Sequence, residues 1–303
     1  MIPGPAGRPA LSVVIASWTG TEELARSLSS LLDQVEPGRD EIIIARNFSL
    51  DALVAGQATR PGVIDLPLPA DTSVPRLRAA GLAASRGSII AFIEDHCICQ
   101  PGWRSAIVRE HELACDAVGG PVDLDEEGGP LDWAVYFYDY AKFATPVKPG
   151  PVSSLSGANA SYKRAALESV GAELRTLVLE VTIERSFRDR GLTMHLAPGA
   201  SVVSRKQHRA WKIVPLTFAL ARGYAAHRLL GATMPKRAAF AAATVVLPVL
   251  LAARIVAATL RAPRHSWRLA LAAPWLGVLL ATWSLGELAG YAAGTGNSLA
   301  RWR

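Results

Sequence analysis

The chain has 303 residues, half of them hydrophobic and 19% charged, with a formal net charge of +6. This balance excludes an intrinsically disordered chain and gives enough length for one large α/β domain with added elements, or for two domains. The basic bias, with a pI of about 9.5, suits anionic partners such as phosphorylated small molecules or anionic lipid. No basic stripe interleaved with aromatics is visible, so nucleic acid is not an expected partner. The three cysteines, Cys97, Cys99 and Cys115, are too few for a disulfide framework and fit a reducing compartment.

Residues 1–10 are rich in Pro and Gly and lack the apolar stretch of a signal peptide, which predicts a flexible tail. Residues 12–17 form a β-branched run of strand type. Residues 21–32 follow with helical spacing of Leu24, Leu28, Leu31 and Leu32, with Thr21 as the candidate cap. Strands are expected at 41–44 and 63–66. A helix is expected at 74–86, weakened by Gly81, and a strand buried on both faces at 88–93. Strands alternating with helices imply a mostly parallel sheet with flanking helices.

The second half is less regular. Residues 116–123 read as a strand broken by glycines, 131–143 as an aromatic helix, and 155–162 as a small-residue stretch leading into a helix at 164–170. A further helix at 180–190 ends at Gly191, and 192–203 reads as a strand pair. From about residue 238 the composition changes. Residues 238–260 carry the single charge Arg254, and 269–294 carry only Glu287. Each segment is long enough to cross a hydrocarbon core of ~30 Å, although Pro248 and Pro274 interrupt them. A membrane-associated helical hairpin is therefore expected, with a buried helical pair as the alternative. Basic residues before the first segment and after the second favour cytoplasmic ends, against a connector that is itself basic.

The strand at 88–93 runs into Glu94-Asp95-His96, then Pro101-Gly102-Trp103. Charged groups are rarely buried unless paired or bound to metal, and ligands of parallel sheets sit at the carboxyl ends of strands. A strand-end acid cluster followed by a later carboxylate-bearing helix is what nucleotide-sugar chemistry requires. A divalent cation, Mn²⁺ or Mg²⁺, offsets the charge of a diphosphate leaving group, and a separate carboxylate takes a proton from the acceptor hydroxyl.

Five stretches in order, SVVIASWTGTEEL, LRAAGLAASRGSIIAFIEDH, PGW, SGANASYKRAALESVG and ERSFRDRGLTMHLAPGASV, make residues 11–225 resemble a family 2 glycosyltransferase of the GT-A fold. The resemblance implies an inverting transferase acting on a nucleotide-diphospho-sugar donor. In that family the strand ends in an Asp-x-Asp motif, and counting back from Pro101 places its two acids on Glu94 and His96, with Asp95 between them. A histidine can ligate a metal but lacks the charge of a carboxylate. The resemblance also implies that the donor nucleotide meets Ala16, Ser17, Trp18, Arg78 and Asp95. Where the family has a base-reading acid after the second strand, this chain has Ala45-Arg46-Asn47, so Arg46 is a candidate phosphate contact. Counting back from Gly191 places the catalytic base on Glu180, with Leu179 in place of the preceding acid and Glu184 as the fallback. Gly157 and Asn159 match the acceptor side. His208, in QHRAW, is a further metal or diphosphate candidate. The spacing of QHRAW differs from the Gln-x-x-Arg-Trp motif of processive synthases, so polymer synthesis is not inferred.

The expected organisation is thus a tail at 1–10, a GT-A-like α/β domain at 11–225 and membrane-associated helices at 226–303, with the catalytic domain cytoplasmic. The acceptor is unspecified, and a membrane anchor leaves lipid-linked or polysaccharide precursors open. Two rival readings come from other classes. One is a zinc site built from His96, Cys97, Cys99, His111 and Cys115, although C-x-C with one distant cysteine departs from the usual spacing. The other is a catalytically inactive, membrane-anchored nucleotide-sugar-binding module.

Overall fold

The computed structural model describes residues 8–229, 231–261 and 263–298; the expected tail lies outside these residues as far as residue 7. The described residues fall into two compact units. One comprises the chain as far as Asp125 together with Thr145–Lys206, the other Glu126–Ala144 together with the chain from Gln207.

The first unit contains β1 (Leu11–Ser17), α1 (Thr21–Leu32), β2 (Asp40–Arg46), α2 (Ala52–Ala58), β3 (Val63–Pro67), α3 (Val74–Ala84), β4 (Ile89–Glu94), β5 (Cys97–Cys99), α4 (Trp103–His111), β6 (Ala117–Gly119) and β7 (Val122–Leu124). After the helix α5 (Pro130–Tyr140) of the second unit, the first resumes with β8 (Gly150–Val152), β9 (Asn159–Lys163), α6 (Arg164–Val170), α7 (Glu180–Arg190), β10 (Met194–Leu196) and β11 (Val202–Ser204). Within the described residues, eight strands form a mixed sheet in the order β3-β2-β1-β4-β9-β6-β10-β8, and β5-β11-β7 form a small second sheet. The strands from β3 to β4 are mutually parallel, whereas β9 runs antiparallel to both β4 and β6. All seven residues of β1 are buried, as expected for a strand covered on both faces.

Register sets the position of the site. Ala16 pairs with Glu94 and Ser17 with Arg46, so the carboxyl ends of β1, β2 and β4 share one edge. The expected strand at 116–123, broken by glycines, is two strands, β6 and β7, and they lie in different sheets; Gly120 lies between them, where a Cβ would stand 1.7 Å from the Ala200 carbonyl oxygen. The expected strand pair at 192–203 likewise divides between the sheets. Helix α1 begins at Thr21 with Gly20 at its N-cap and no side-chain cap bond, so Thr21 does not cap it. Helix α7 ends as predicted, at Gly191 in the left-handed conformation (φ 69°) that glycine adopts without a Cβ penalty.

The second unit holds α5, α8 (Ala210–Arg228), α9 (Met234–Ala243), α10 (Leu247–Arg261) and α11 (Ser266–Ala293). The expected first apolar segment is two helices, α9 and α10, bent by 57° at a short break; the expected second segment is the continuous 28-residue α11, which runs through Pro274. By length and composition α11 is sufficient to cross a bilayer, and the α9–α10 pair qualifies only if taken together as one broken span.

Gly81 follows from packing. A Cβ there would lie 2.3 Å from Cγ1 of Val14, a fully buried residue of β1 whose branched side chain has little rotamer freedom. Alanine gains about 1 kcal/mol of helix propensity over glycine, but overpacking a core typically costs about 1–3 kcal/mol. Gly81→Ala is expected to destabilise the protein on balance, measured as a lower midpoint of chemical denaturation. A higher midpoint would mean that α3 stands further from β1 than described.

Candidate active site

The strand-end cluster divides into three side chains with different tasks. Asp95 is fully buried. Its Oδ2 accepts hydrogen bonds from Ser17 Oγ at 2.9 Å, from the Trp18 backbone N–H at 2.7 Å and from the Thr19 backbone N–H at 2.9 Å. Burial alone pushes its carboxyl up, but His96 and the Thr19 amide outweigh this and hold it below the ordinary aspartate value. This carboxylate fixes the turn after β1, rather than lying open to a ligand. Ala16 and Ser17 are also fully buried: Ala16 packs with Ala45 and Leu77, and Trp18 packs against that cluster. Of the three residues assigned to the nucleotide at the end of β1, only Trp18 is partly exposed.

Arg46 is engaged within the protein. Its Nε and Nη2 each donate to the Asp65 carboxylate of the adjacent strand at 2.7 Å, and its Nη1 donates to the Phe48 carbonyl. The hydrogen bond to Asp65 raises its pKa above the ordinary arginine value. The sequence made this cation a candidate phosphate contact; in the structure its fork is matched to a carboxylate of β3, three strands from β4.

Arg78 occupies the centre of the site. Its side chain is 6% exposed. Nη2 donates to Glu94 Oε1 at 2.9 Å and to the Gly157 carbonyl at 3.1 Å, and Nη1 donates to Glu180 Oε1. Burial disfavours its charge, but Glu180 and Glu94 more than compensate and raise its pKa. Glu180 is the first residue of α7, and the chain just before it is tied to α3 by a bond from Val178 N to the Pro75 carbonyl at 3.0 Å. Gly157 makes the arrangement possible. A Cβ at this position would lie 1.7 Å from Glu180 Oε1, so the base candidate fills the space that a side chain would take.

His96 is buried, with Nε2 3.2 Å from Glu94 Oε2 and Nδ1 3.5 Å from Asp95 Oδ1. Neighbouring ligands of an octahedral Mg²⁺ or Mn²⁺ stand about 3 Å apart, so the Glu94–His96 pair fits one edge of such a site. Among the described residues no group of three or more His, Cys, Asp or Glu stands together as a metal cage. The fit is therefore to a cation that takes its remaining ligands from a phosphorylated substrate and water. The zinc alternative has no such cluster either: His111 Nε2 pairs with Ser161 Oγ at 2.9 Å, and burial lowers the His111 pKa to about 3.

The remaining candidates are scattered in role. Glu184 Oε1 accepts from the Leu155 backbone N–H at 3.2 Å. Asn159 is fully buried; its Oδ1 accepts from Trp103 Nε1 at 2.9 Å, and its Nδ2 donates to the carbonyls of Pro121 and Ala200 at 3.2 and 2.7 Å. Every polar atom of that side chain locks the turn, so Asn159 is not available to line an acceptor subsite. His208 belongs to the second unit, where its backbone N–H and Nδ1 meet Asp132 at 2.6 and 3.0 Å. Sequence reasoning missed Lys206, whose Nζ lies 4.0 Å from the centroid of the Trp18 ring. Its only linear signal is a basic residue after the last core strand.

The family model described as Glycosyl transferase family 2 matches residues 12–171. Among solved structures, the chain is similar to the mannosyltransferase PcManGT from Pyrobaculum calidifontis, in complex with GDP-Man and Mn²⁺. The two share 16% identity with a TM-score of 0.55, over 95% of this chain and 89% of that one. It is also similar to GalNAc-T7 with UDP, GalNAc and Mn²⁺, at 13% identity and a TM-score of 0.50, over 67% of this chain and 44% of that one. These likenesses are in fold. No curated protein is significantly similar in sequence.

The fit of Glu180 against Gly157 can be tested without an assay of function. Gly157→Ala is expected to destabilise the protein by displacing Glu180 from Arg78. In a Glu180→Ala background, where the space is vacant, the same change is expected to cost ~1–3 kcal/mol less. Equal costs in both backgrounds, measured by denaturant unfolding, would show that the two residues do not touch.

Proposed function

The chain belongs to glycosyl transferase family 2, and from that premise we propose that it transfers a sugar from a nucleotide-diphosphate donor to an acceptor hydroxyl, with inversion at the anomeric carbon. The observation that carries this reading is the shared guanidinium of Arg78, which holds the strand-end Glu94 and the helix-start Glu180 on one cation. A donor-side carboxylate and a candidate base thereby face a common space. Glu94 and His96 would hold a divalent cation, which when bound supplies positive charge to the departing diphosphate. Asp95 holds the turn carrying Trp18 and so shapes the donor side. Glu180 is the base: as the acceptor oxygen forms its bond to the anomeric carbon and the bond to the diphosphate breaks, the hydroxyl proton passes to the Glu180 carboxylate. One carboxylate with no covalent intermediate accounts for inversion. Arg78 keeps Glu180 in place and offsets its charge.

A panel of nucleotide sugars assayed for release of nucleoside diphosphate in the presence of Mn²⁺ or Mg²⁺ tests the proposal. Activity is expected with at least one donor and is expected to vanish in excess chelator. Glu180→Gln is expected to lower turnover ~10²–10⁴-fold, the usual contribution of a positioned base. Glu184→Gln, at a carboxylate that accepts a backbone bond one helical turn further on, is expected to leave turnover near normal. If Glu184→Gln collapsed turnover while Glu180→Gln did not, the base would be Glu184.

The same reading places the enzyme at a membrane, with its catalytic unit on the cytoplasmic side and a lipid-linked or polysaccharide precursor as acceptor class. It is supported by α11, whose 28 residues extend about 42 Å at 1.5 Å per residue, and by the exposed large apolar side chains on α10 and α11. Val249, Leu260, Trp267, Leu271 and Leu285 are all more than half exposed, a density rarely left to water on a soluble surface. The full-length protein is expected to sediment with membranes and to require detergent for extraction. Recovery in the soluble fraction without detergent would overturn membrane association.

A further inference from the structure

Lys206 occupies a position that the reaction scheme leaves unused. Ser204 pairs with Cys97 across the small sheet, and the Arg205 backbone N–H donates to the His96 carbonyl at 2.9 Å. The chain therefore leaves β11 alongside Glu94-Asp95-His96. The next side chain, Lys206, places Nζ 4.0 Å from the centroid of the Trp18 ring, and Trp18 is held by its backbone bond to Asp95. Among the described residues Lys206 forms no ion pair with a carboxylate.

The charge balance of the site gives this ammonium a task. Arg78 is matched by two carboxylates, Glu94 and Glu180, and Asp95 faces the hydroxyl and amides of the β1 turn. His96 stands where a second acid would make the site more anionic. Lys206 is thus a cation beside the strand end whose partner among the described residues is an aromatic face. A cation–π contact at a partly exposed position is weaker than a charge-assisted bond to a phosphate oxygen, so a diphosphate arriving there competes successfully for the ammonium.

We propose that Lys206 is a ligand of the diphosphate of a nucleoside-diphosphate donor, and that the Trp18 ring is where its ammonium rests before the donor arrives. The inference rests on the nucleotide-sugar reading above and assigns it a residue from outside the strand-end motif. A diphosphate brings a second phosphoryl group, which can meet the ammonium while the other meets the Glu94–His96 edge, so the signature of Lys206 is a preference for diphosphate over monophosphate.

Calorimetric titration of the detergent-solubilised full-length protein with UDP, UMP, GDP and GMP, in Mn²⁺ and again in EDTA, tests this. The wild type is expected to bind one diphosphate more tightly than its monophosphate. Lys206→Gln is expected to reduce that preference about tenfold while leaving the monophosphate Kd unchanged, and Lys206→Arg to restore most of it. In EDTA the wild type is expected to keep a residual preference that Lys206→Gln lacks. An unchanged preference in Lys206→Gln, with the wild type binding diphosphate normally, would overturn the role of Lys206 alone. Failure of the wild type to bind any of the four nucleotides would overturn the donor reading, and Lys206 with it.

Discussion

The first unit depends on the buried guanidinium of Arg78. A cation at this depth is tolerated only when paired and hydrogen-bonded, and its three acceptors come from separate parts of the chain: the end of β4, the start of α7 and the turn at Gly157. Buried ion pairs are poor sources of net stability, because desolvation offsets most of their Coulombic gain. Well-packed apolar residues would hold these elements together equally well. What the ion pairs supply is direction: each carboxylate is fixed by a planar fork, so two acids distant in sequence meet at one guanidinium. This is the preorganisation that a displacement reaction needs, because a carboxylate already in place does not have to reorganise when charge develops.

Asp95 performs a related task with the opposite charge. Its Oδ2 gathers two backbone amides and a hydroxyl, and so determines where the chain goes after β1 and where Trp18 stands. Bonds to an ionised acceptor are about twice as strong as neutral ones, which explains how a fully buried carboxylate stays charged. The Glu94-Asp95-His96 run therefore divides by orientation. The side chains of successive residues at a strand end point to different sides, so the middle residue serves the scaffold while its neighbours Glu94 and His96 meet each other across 3.2 Å.

Much of this was legible in the sequence, and the misses share a cause. The parallel half of the sheet, the long helices and Gly191 as the end of α7 follow from hydrophobic period and turn chemistry, which are local signals, whereas Arg78, Glu94 and Glu180 are singled out through the family resemblance, and the structure brings these three together. What linear spacing cannot give is the partner of a polar group. Arg46 reads as a cation free to meet a phosphate until β3 brings Asp65 beside it. Asn159 reads as a lining residue until Trp103 and two carbonyls take up its amide. The strands the sequence does not announce, β5 and β8, are missed for the same reason: at three residues each they are too short for any period, and pairing with distant segments defines them. The break between α9 and α10 falls just before Pro248, the second residue of α10, a first-turn position that proline tolerates, whereas Pro274 lies inside the continuous α11; the two prolines read alike in the sequence, and only the packing separates them.

The second unit has an apolar interior but also buries a carboxylate while leaving large apolar side chains outside, and this combination is the physical case for the proposed bilayer. Glu287 on α11 is buried and accepts from Trp283 Nε1 at 3.0 Å, Tyr291 Oη at 2.8 Å and Arg228 of α8 at 3.2 Å. One turn away the helices approach closely. Ideal Cβ atoms at Gly286 and Gly290 would each lie 2.5 Å from a backbone carbonyl of α8, those of Phe218 and Arg222. Gly-x-x-x-Gly contacts of this kind, with a polar group satisfied across the helix pair, hold helices together where no hydrophobic effect drives them together. In water the opposite layout would be favoured, with the carboxylate outward and Leu271 and Leu285 inward. Burying one acid while leaving large apolar side chains outside is unfavourable against water on both counts, and is favourable on both counts against hydrocarbon.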